Sequence, residues 1–276
     1  MLQFTVNIDL GIREIRQITT FIRDTHGVDY SEYALTSFKR RLEGFMSSNK
    51  YSIDTLMTKL ESKEFLDHFI ACISVPSTEL FRDPTFWLLL KNNYISDMLK
   101  ENRKPKIWLP LCASGEEYYS LAILLKESNW NNLVDVYVSS DSNETLELIK
   151  SGYVDYEKLE ISSKNYTRFQ GISQFTDYYT VIDRSANFDK SLFANTTFYH
   201  EDLNFSRDFG HINMILFRNK LIYFTNALQY KVCDAMYNKL AVKGILALGI
   251  LEEIDLTTNG KFVALNKQES IYQRKG

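Results

Sequence analysis

The feature that most limits the fold lies between residues 106 and 151. KIWLPL (106–111) is a short apolar run, and Pro110 marks its end because a proline donates nothing to a sheet ladder. In ASGEEYYSLAILLKES a Ser-Gly pair supplies a tight turn, and Leu121 to Leu125 predict a mostly buried helix beginning near Glu116. VDVYVSS (134–140) reads as a second strand with Asp141 at its carboxyl end. Ser142 then caps a second helix, in SNETLELIKSGY, whose Leu146 and Ile149 face a sheet. Strand, glycine turn, helix, strand, acidic residue, helix is the first half of a doubly wound, nucleotide-binding α/β domain.

The remaining segments are placed around that unit. Residues 153–196 break the rhythm, and QFTDYYTVIDR within them reads as strands of a small inserted sheet. NTTFYHEDL (195–203) and HINMILFR (211–218) resume the strands, a helix runs from Asn226 to Leu240, and GILALGI is another strand. KFVAL (261–265) is expected as the last, antiparallel strand. Upstream, residues 11–71 carry four apolar sets at helical spacing: Ile12, Ile15, Ile18, Thr19 and Ile22; Tyr33, Phe38, Leu42 and Phe45; Ile53, Leu56 and Leu60; Phe65, Phe69 and Ile70. Between them and the first strand, Pro76 stops a helix, Asp83 is placed to cap a new one with Pro84 at its first position, and ENRKPK is a polar linker. The expected organisation is a helical domain over 1–71, a linker and helix over 72–105 that contributes to a cofactor cleft, and an α/β domain over 106–276 with a β-subdomain inserted at about 153–196.

Composition narrows the partners. A formal net charge of -3 over 276 residues favours neither nucleic acid nor an anionic membrane surface. Three cysteines, at 72, 112 and 233, form no disulfide framework, and the four histidines, at 26, 68, 200 and 211, show no metal spacing. No apolar run reaches 18 residues, and the first 18 residues hold no signal-peptide core, so a cytoplasmic protein without stable membrane insertion is expected. Lys39, Arg40 and Arg41 make a local basic step, which reads either as a solvated helix face or as a dock for an acidic partner.

The chemistry concentrates at the first turn. Free amides at a helix start attract anions, but Glu116 and Glu117 would repel a pyrophosphate, so the turn suits a cofactor with a positive centre and an ammonium group better than NAD or ATP. The alternative for the two carboxylates is plain helix capping. Asp141, at the end of the second strand, is the expected partner of two ribose hydroxyls. Cys112 reads as a small buried filler, and His200 as a satisfied structural histidine.

LFRDP, KIWLPLCASGEEYYSLAILL, VSSDSNETLELIKSGYV and ILFRNKLIYF, in that order, resemble the CheR-type chemotaxis receptor methyltransferases. The resemblance runs from about residue 12 to 265. It implies a Rossmann-like S-adenosylmethionine-dependent methyltransferase domain with an N-terminal helical domain and a small inserted β-subdomain. It also implies methylation of glutamate side chains on the helical cytoplasmic region of a receptor, with S-adenosylhomocysteine as product. By the same resemblance Thr78 and Arg82, in STELFR, approach the cofactor, as do Glu117, Asp141 and Asn219. Asp202 and Leu203 fall where the family has Asn-Leu beside the adenine. Arg82 and Tyr223 are the residues expected at the methyl-transfer centre, where either could hold the acceptor's carboxylate or the cofactor's own.

Several positions depart from the family pattern. Leu111 stands where a small residue is usual, Tyr118 replaces a Pro, and Pro76 replaces an Asn. Asp202 brings a charge to a neutral position, Lys243 replaces the Pro of a Pro-Gly turn, and Ile250-Leu251 replaces His-Ser in G-H-S-E. A chain with these departures is read either as an active enzyme or as a catalytically degenerate relative that keeps the fold as a binding or scaffold module.

Overall fold

The computed structural model describes residues 8–254 and 260–276. The chain divides into two units, residues 1–74 with 220–232 and residues 75–219 with 233–276, and each is taken by itself. The segment 220–232, expected inside the α/β domain, groups with the helical unit instead.

In the smaller unit the four apolar sets become α1 (Ile12–His26), α2 (Leu35–Asn49), α3 (Ile53–Lys59) and α4 (Lys63–Ile73). Gly27, at φ 77, ends α1 in the left-handed conformation that costs glycine little, and Ser52 and Ser62 accept the backbone N–H groups of Thr55 and Phe65 to start α3 and α4. Ile15, Ile18, Ile22, Phe38, Leu42, Phe45, Leu56 and Phe69 form the core. Tyr33, expected to open the second helix, lies before it. It pairs with Phe224 in an antiparallel bridge, flanked by Ala34 N–H to Tyr223 O (2.7 Å) and Thr225 N–H to Glu32 O (2.8 Å).

The larger unit is built on β1 (Lys106–Leu109), β2 (Asp135–Ser140), β6 (Thr196–His200), β7 (Ile212–Phe217), β8 (Leu240–Leu248), β9 (Phe262–Asn266) and β10 (Ile271–Arg274). The sheet order is β6-β2-β1-β7-β8-β10-β9, parallel as far as β8 and antiparallel at β10 and β9. The last strand is therefore β10, which slots between β8 and the strand expected to be last. The strand order reverses between β1 and β7, so the crevice beyond their carboxyl ends is where a doubly wound sheet takes its ligand.

Two helices of this unit carry the first half of the pattern. In α7 (Glu116–Glu127), Glu116 to Leu125 are all buried, and α8 (Asn143–Ser151) starts at Ser142, whose hydroxyl accepts the Thr145 N–H at 3.2 Å. Upstream lie α5 (Pro84–Leu89), a π-helical stretch (Leu90–Ile95) and α6 (Ser96–Glu101). The inserted region holds a three-stranded antiparallel sheet, with β5 (Ser185–Phe188) between β3 (Tyr153–Asp155) and β4 (Tyr179–Ile182). It also holds α9 (Leu159–Arg168), a helix not expected there. The last helix, α10 (Asn226–Lys239), precedes β8. No helix of the described residues is long and apolar enough to cross a membrane.

Candidate active site

The loop after β1 is fixed before any ligand is considered. Cys112 N–H donates to Ser139 O at 2.7 Å, tying the loop to β2, and the Ser114 hydroxyl accepts the Ser77 N–H at 2.8 Å. Leu111 sits at φ 51, in the region that favours glycine, at the position where the resemblance calls for a small residue. Gly115, the glycine of the Ser-Gly turn, does not open space for a ligand. The space beside it is instead filled by Tyr119, whose ring would lie 2.2 Å from a Cβ at 115 and whose hydroxyl donates to Ile149 O at 2.7 Å. Tyr118, in the Pro position, donates its hydroxyl to Thr196 Oγ1 at 2.9 Å.

The paired glutamates have cationic neighbours. Glu116, 2% exposed, forms an ion pair with Lys158 at 2.5 Å, and the same ammonium donates to Ser77 O at 2.9 Å. Its second oxygen, Oε2, is buried with no hydrogen-bond partner among the described residues. Glu117 Oε1 lies 4.0 Å from Nη1 of Arg218, just past β7. Each glutamate of the turn has a cation beside it, so the turn is not an open acidic pit.

The segment 77–83 crosses this cluster under unusual constraint. Leu80 N–H donates to Ser162 Oγ (3.0 Å), Phe81 N–H to Ser120 Oγ (2.7 Å), and Asn165 Nδ2 to Leu80 O (3.2 Å). Phe81 and Asp83 both have positive φ, 51 and 58, and hold Arg82 between them. Backbone of this kind persists only where its surroundings over-determine it. The Asp83 carboxylate, expected as a helix cap, makes no cap; it takes Nη2 of Arg218 at 2.5 Å, because a buried guanidinium needs an anion more than α5 needs a cap. Arg218 also donates to Arg82 O at 3.3 Å and lies 4.0 Å over the Phe86 ring. Burial pulls its pKa down, Glu117 and Asp83 oppose that, and the neighbouring Arg82 charge reinforces it. The half-buried Arg82 side chain has no hydrogen-bonding partner among the described residues, and Thr78 is exposed.

Other expected residues distribute unevenly. Asp141 follows β2, half-buried, and its carbonyl accepts from Nε2 of His200 at 3.1 Å, which gives that histidine its structural partner. Leu203 is half-buried after β6, but the neighbouring Asp202 carboxylate turns back on its own loop, accepting Asn204 N and Nδ2, both at 2.9 Å. Asn219, at φ 58, follows Arg218; its N–H donates to Glu252 Oε2 at 2.8 Å. Tyr223 belongs to the other unit. There Arg41 lies 5.4 Å from its ring centroid and donates to Ile73 O at 2.5 Å, while Lys39 pairs with Asp9 (2.6 Å) and Glu43 (3.4 Å). The basic step Lys39–Arg41 is thus not one docking face, since two of its three cations are engaged within the unit.

These loops meet where β1, β2, β7 and β8 end. The family model described as "CheR methyltransferase, SAM binding domain" matches residues 76–271. The chain belongs to this CheR family. It is 28% identical to the methyltransferase-named protein Cher3 of Pseudomonas putida over 264 residues, covering 95% of this chain and 96% of that one. It is 27% identical to a chemotaxis protein methyltransferase of Listeria innocua over 239 residues, covering 86% of this chain and 88% of the other. The cofactor of a CheR-family domain is S-adenosylmethionine. The residues present fit it: an unpartnered buried carboxylate oxygen on Glu116 and the Glu117 carboxylate suit cationic groups, and an unpartnered guanidinium on Arg82 suits a carboxylate.

Arg218, Lys158, Ser120 and Ser162 hold the loops around this candidate site without having been singled out from sequence, and Glu252 was read only as the last residue of the G-H-S-E match. For Arg218 a signal existed: a charge directly after the apolar strand INMILF has to find an anion. Among the described residues no group of three or more His, Cys, Asp or Glu is arranged to hold a metal ion.

Proposed function

We propose that this CheR-family chain methylates glutamate carboxylates of a chemotaxis signalling protein, on the helical cytoplasmic region of a receptor. The observation that supports this most is the Arg82 guanidinium. It has no hydrogen-bonding partner among the described residues, sits between two left-handed residues, and has its own carbonyl held by buried Arg218. A planar cation on so constrained a backbone, with its donors unspent, suits a carboxylate.

Bound S-adenosylmethionine supplies a methyl group already activated on a sulfonium, and an ionised carboxylate accepts it without a general base. The work left to the chain is alignment and exclusion of water. Asp141 accepts hydrogen bonds from ribose hydroxyls. Glu117 faces the cofactor's ammonium group, Leu203 packs beside the adenine, and Thr78 and Asn219 line the cleft. Tyr223 is assigned to the transfer centre by its match to the family alone.

Calorimetry with S-adenosylhomocysteine tests the binding half of this reading. Asp141→Ala is expected to weaken binding by one to two powers of ten, about 1–3 kcal/mol for charge-assisted hydrogen bonds; unchanged affinity removes the ribose contact. The transfer half is tested by mass spectrometry of lysate proteins incubated with labelled cofactor, with a base-labile ester on one receptor as the expected product. A second reading, cofactor binding without turnover, draws on Ile250 and Leu251, which are 41% and 79% exposed where the family has His-Ser. Heat on cofactor binding with no base-labile label on any protein would select it.

A further inference from the structure

β7 and β8 run side by side in parallel, with Phe217 opposite Leu248, so the loops that leave them start together. One brings Asn219 and the other brings the four residues Gly249 to Glu252. Glu252 N–H donates to Gly249 O at 2.8 Å, which closes these four residues into a tight turn. The Glu252 side chain is 3% exposed, and one oxygen of it, Oε2, accepts both the Gly249 N–H (2.7 Å) and the Asn219 N–H (2.8 Å). A single carboxylate oxygen therefore joins the start of one loop to the start of the other. Hydrogen bonds from backbone amides to a buried carboxylate are among the stronger kind.

The second observation concerns Gly249. It is not among the glycines with positive φ, so its backbone conformation does not call for glycine. A Cβ there would stand 2.4 Å from Asn219 Nδ2 and 2.9 Å from Asn219 Cγ and N. The missing side chain serves the placement of Asn219. Asn219 itself is held at φ 58, a conformation that asparagine tolerates and that sets the direction in which its side chain leaves the backbone.

We infer that Glu252 and Gly249 are positioning residues for Asn219: the carboxylate pins its backbone amide, the glycine leaves room for its carboxamide, and together they present that carboxamide to the cofactor. This rests on the reading of Asn219 as a cleft residue. It accounts for the Glu of the Gly249-Ile250-Leu251-Glu252 turn without any direct contact between that Glu and substrate. The exposed tip of the turn, Ile250 and Leu251, is free to differ from the family pattern because the anchoring comes from within.

The test is a double-mutant cycle read by calorimetry with S-adenosylhomocysteine on the full chain. Glu252→Ala and Asn219→Ala are each expected to lose about tenfold in affinity, on the order of 1.4 kcal/mol. The double variant is expected to bind within about threefold of the weaker single, because two residues acting through one contact are not additive. Glu252→Gln keeps an oxygen that accepts both amides and is expected to stay within about threefold of wild type. Gly249→Ala leaves Glu252 in place and is expected to lose about tenfold by displacing Asn219; it carries the test if Glu252→Ala does not fold. Wild-type affinity in both Glu252→Ala and Gly249→Ala, or losses that multiply in the double variant, would overturn the inference. So would wild-type affinity in Asn219→Ala. Asp141→Ala, measured alongside, keeps that failure distinct from a failure of the cofactor reading.

Discussion

Replacing Arg218 by Met should be among the costlier single changes in the larger unit. The guanidinium is almost fully enclosed, with a side-chain exposure of 3%, and it serves four neighbours: Asp83 at 2.5 Å, Glu117 at 4.0 Å, the Arg82 carbonyl at 3.3 Å and the Phe86 ring at 4.0 Å. Breaking a buried ion pair from one side costs about 3–5 kcal/mol. Asp83 retains 20% side-chain exposure and can turn to water, which brings the expected loss toward the lower end, at about 3 kcal/mol. Methionine refills most of the volume, so the loss is electrostatic rather than a cavity. The assay is urea unfolding followed by tryptophan fluorescence; Trp87 is a local reporter, since its indole N–H donates to the Arg82 carbonyl at 2.9 Å. A shift in melting temperature of about 6–12 °C should accompany the change. Arg218→Lys keeps the charge but not the planar fork, and should recover about half. Adding Glu117→Gln to Arg218→Met should return about 1 kcal/mol, because an amide is cheaper to bury than a carboxylate without its cation. If Arg218→Met unfolds within about 0.5 kcal/mol of wild type, the Arg82–Asp83 segment is not held by a buried cation.

Three further outcomes follow from separate features. Leu111 at φ 51 should make glycine better than alanine there by about 1 kcal/mol, since both lose the side chain and only glycine escapes the left-handed cost; the reverse order in urea midpoints would contradict the backbone conformation. Burial raises the pKa of Glu201, against the hydrogen bond that its carboxylate accepts from the Arg207 N–H. A raised folded pKa means that stability is lost as pH climbs through it, so Glu201→Gln should unfold at higher urea than wild type at pH 7, with the gain shrinking toward pH 4; an equal gain at both pH values would rule out that ionisation as the cause. Of the three thiols, exposed Cys72 should react quickly with a chromogenic disulfide; Cys112 and Cys233 should react only on unfolding, since both are buried and burial pushes Cys233 up to about 12. Three fast thiols would refute the packing around both.

Where local chemistry decides structure, the sequence was enough. Pro110 stands just past β1, Ser142 caps α8 and Pro84 opens α5, because each acts on the backbone within a few residues of itself. The helix α9 was not legible. Its buried face carries Ser162 and Asn165, which make hydrogen bonds to Leu80, so the apolar period that signals a helix is broken by residues kept for a backbone far away in sequence. Arg218 and Lys158 escaped for the same reason: their anions, Asp83 and Glu116, lie 135 and 42 positions away. The reading of Lys39 to Arg41 as a possible docking step ran against helix geometry, which turns about 100° per residue and sends consecutive side chains to different faces. Lys39 went to the surface pair with Asp9 and Glu43, and Arg41 went inward to Ile73 O and the Tyr223 ring.

The distribution of backbone strain supports the same location for the site by an independent route. Among the described residues eleven non-glycine residues have positive φ, and five of them, Phe81, Asp83, Leu111, Phe205 and Asn219, lie in the segment that carries Arg82 or in loops at the carboxyl ends of β1, β6 and β7. Each such residue costs of order 1–3 kcal/mol unless the neighbourhood enforces it. Here the neighbourhood is visible. Ser120 holds the Phe81 amide, Arg218 holds the Asp83 carboxylate, Ser139 takes the amide that follows Leu111, Asp202 O accepts the Phe205 amide, and Glu252 takes the amide of Asn219. A loop free to relax would shed this cost. Loops held in it by named hydrogen-bond partners are pre-set in shape, and pre-setting is what in-line transfer demands of a site that contributes alignment rather than a base.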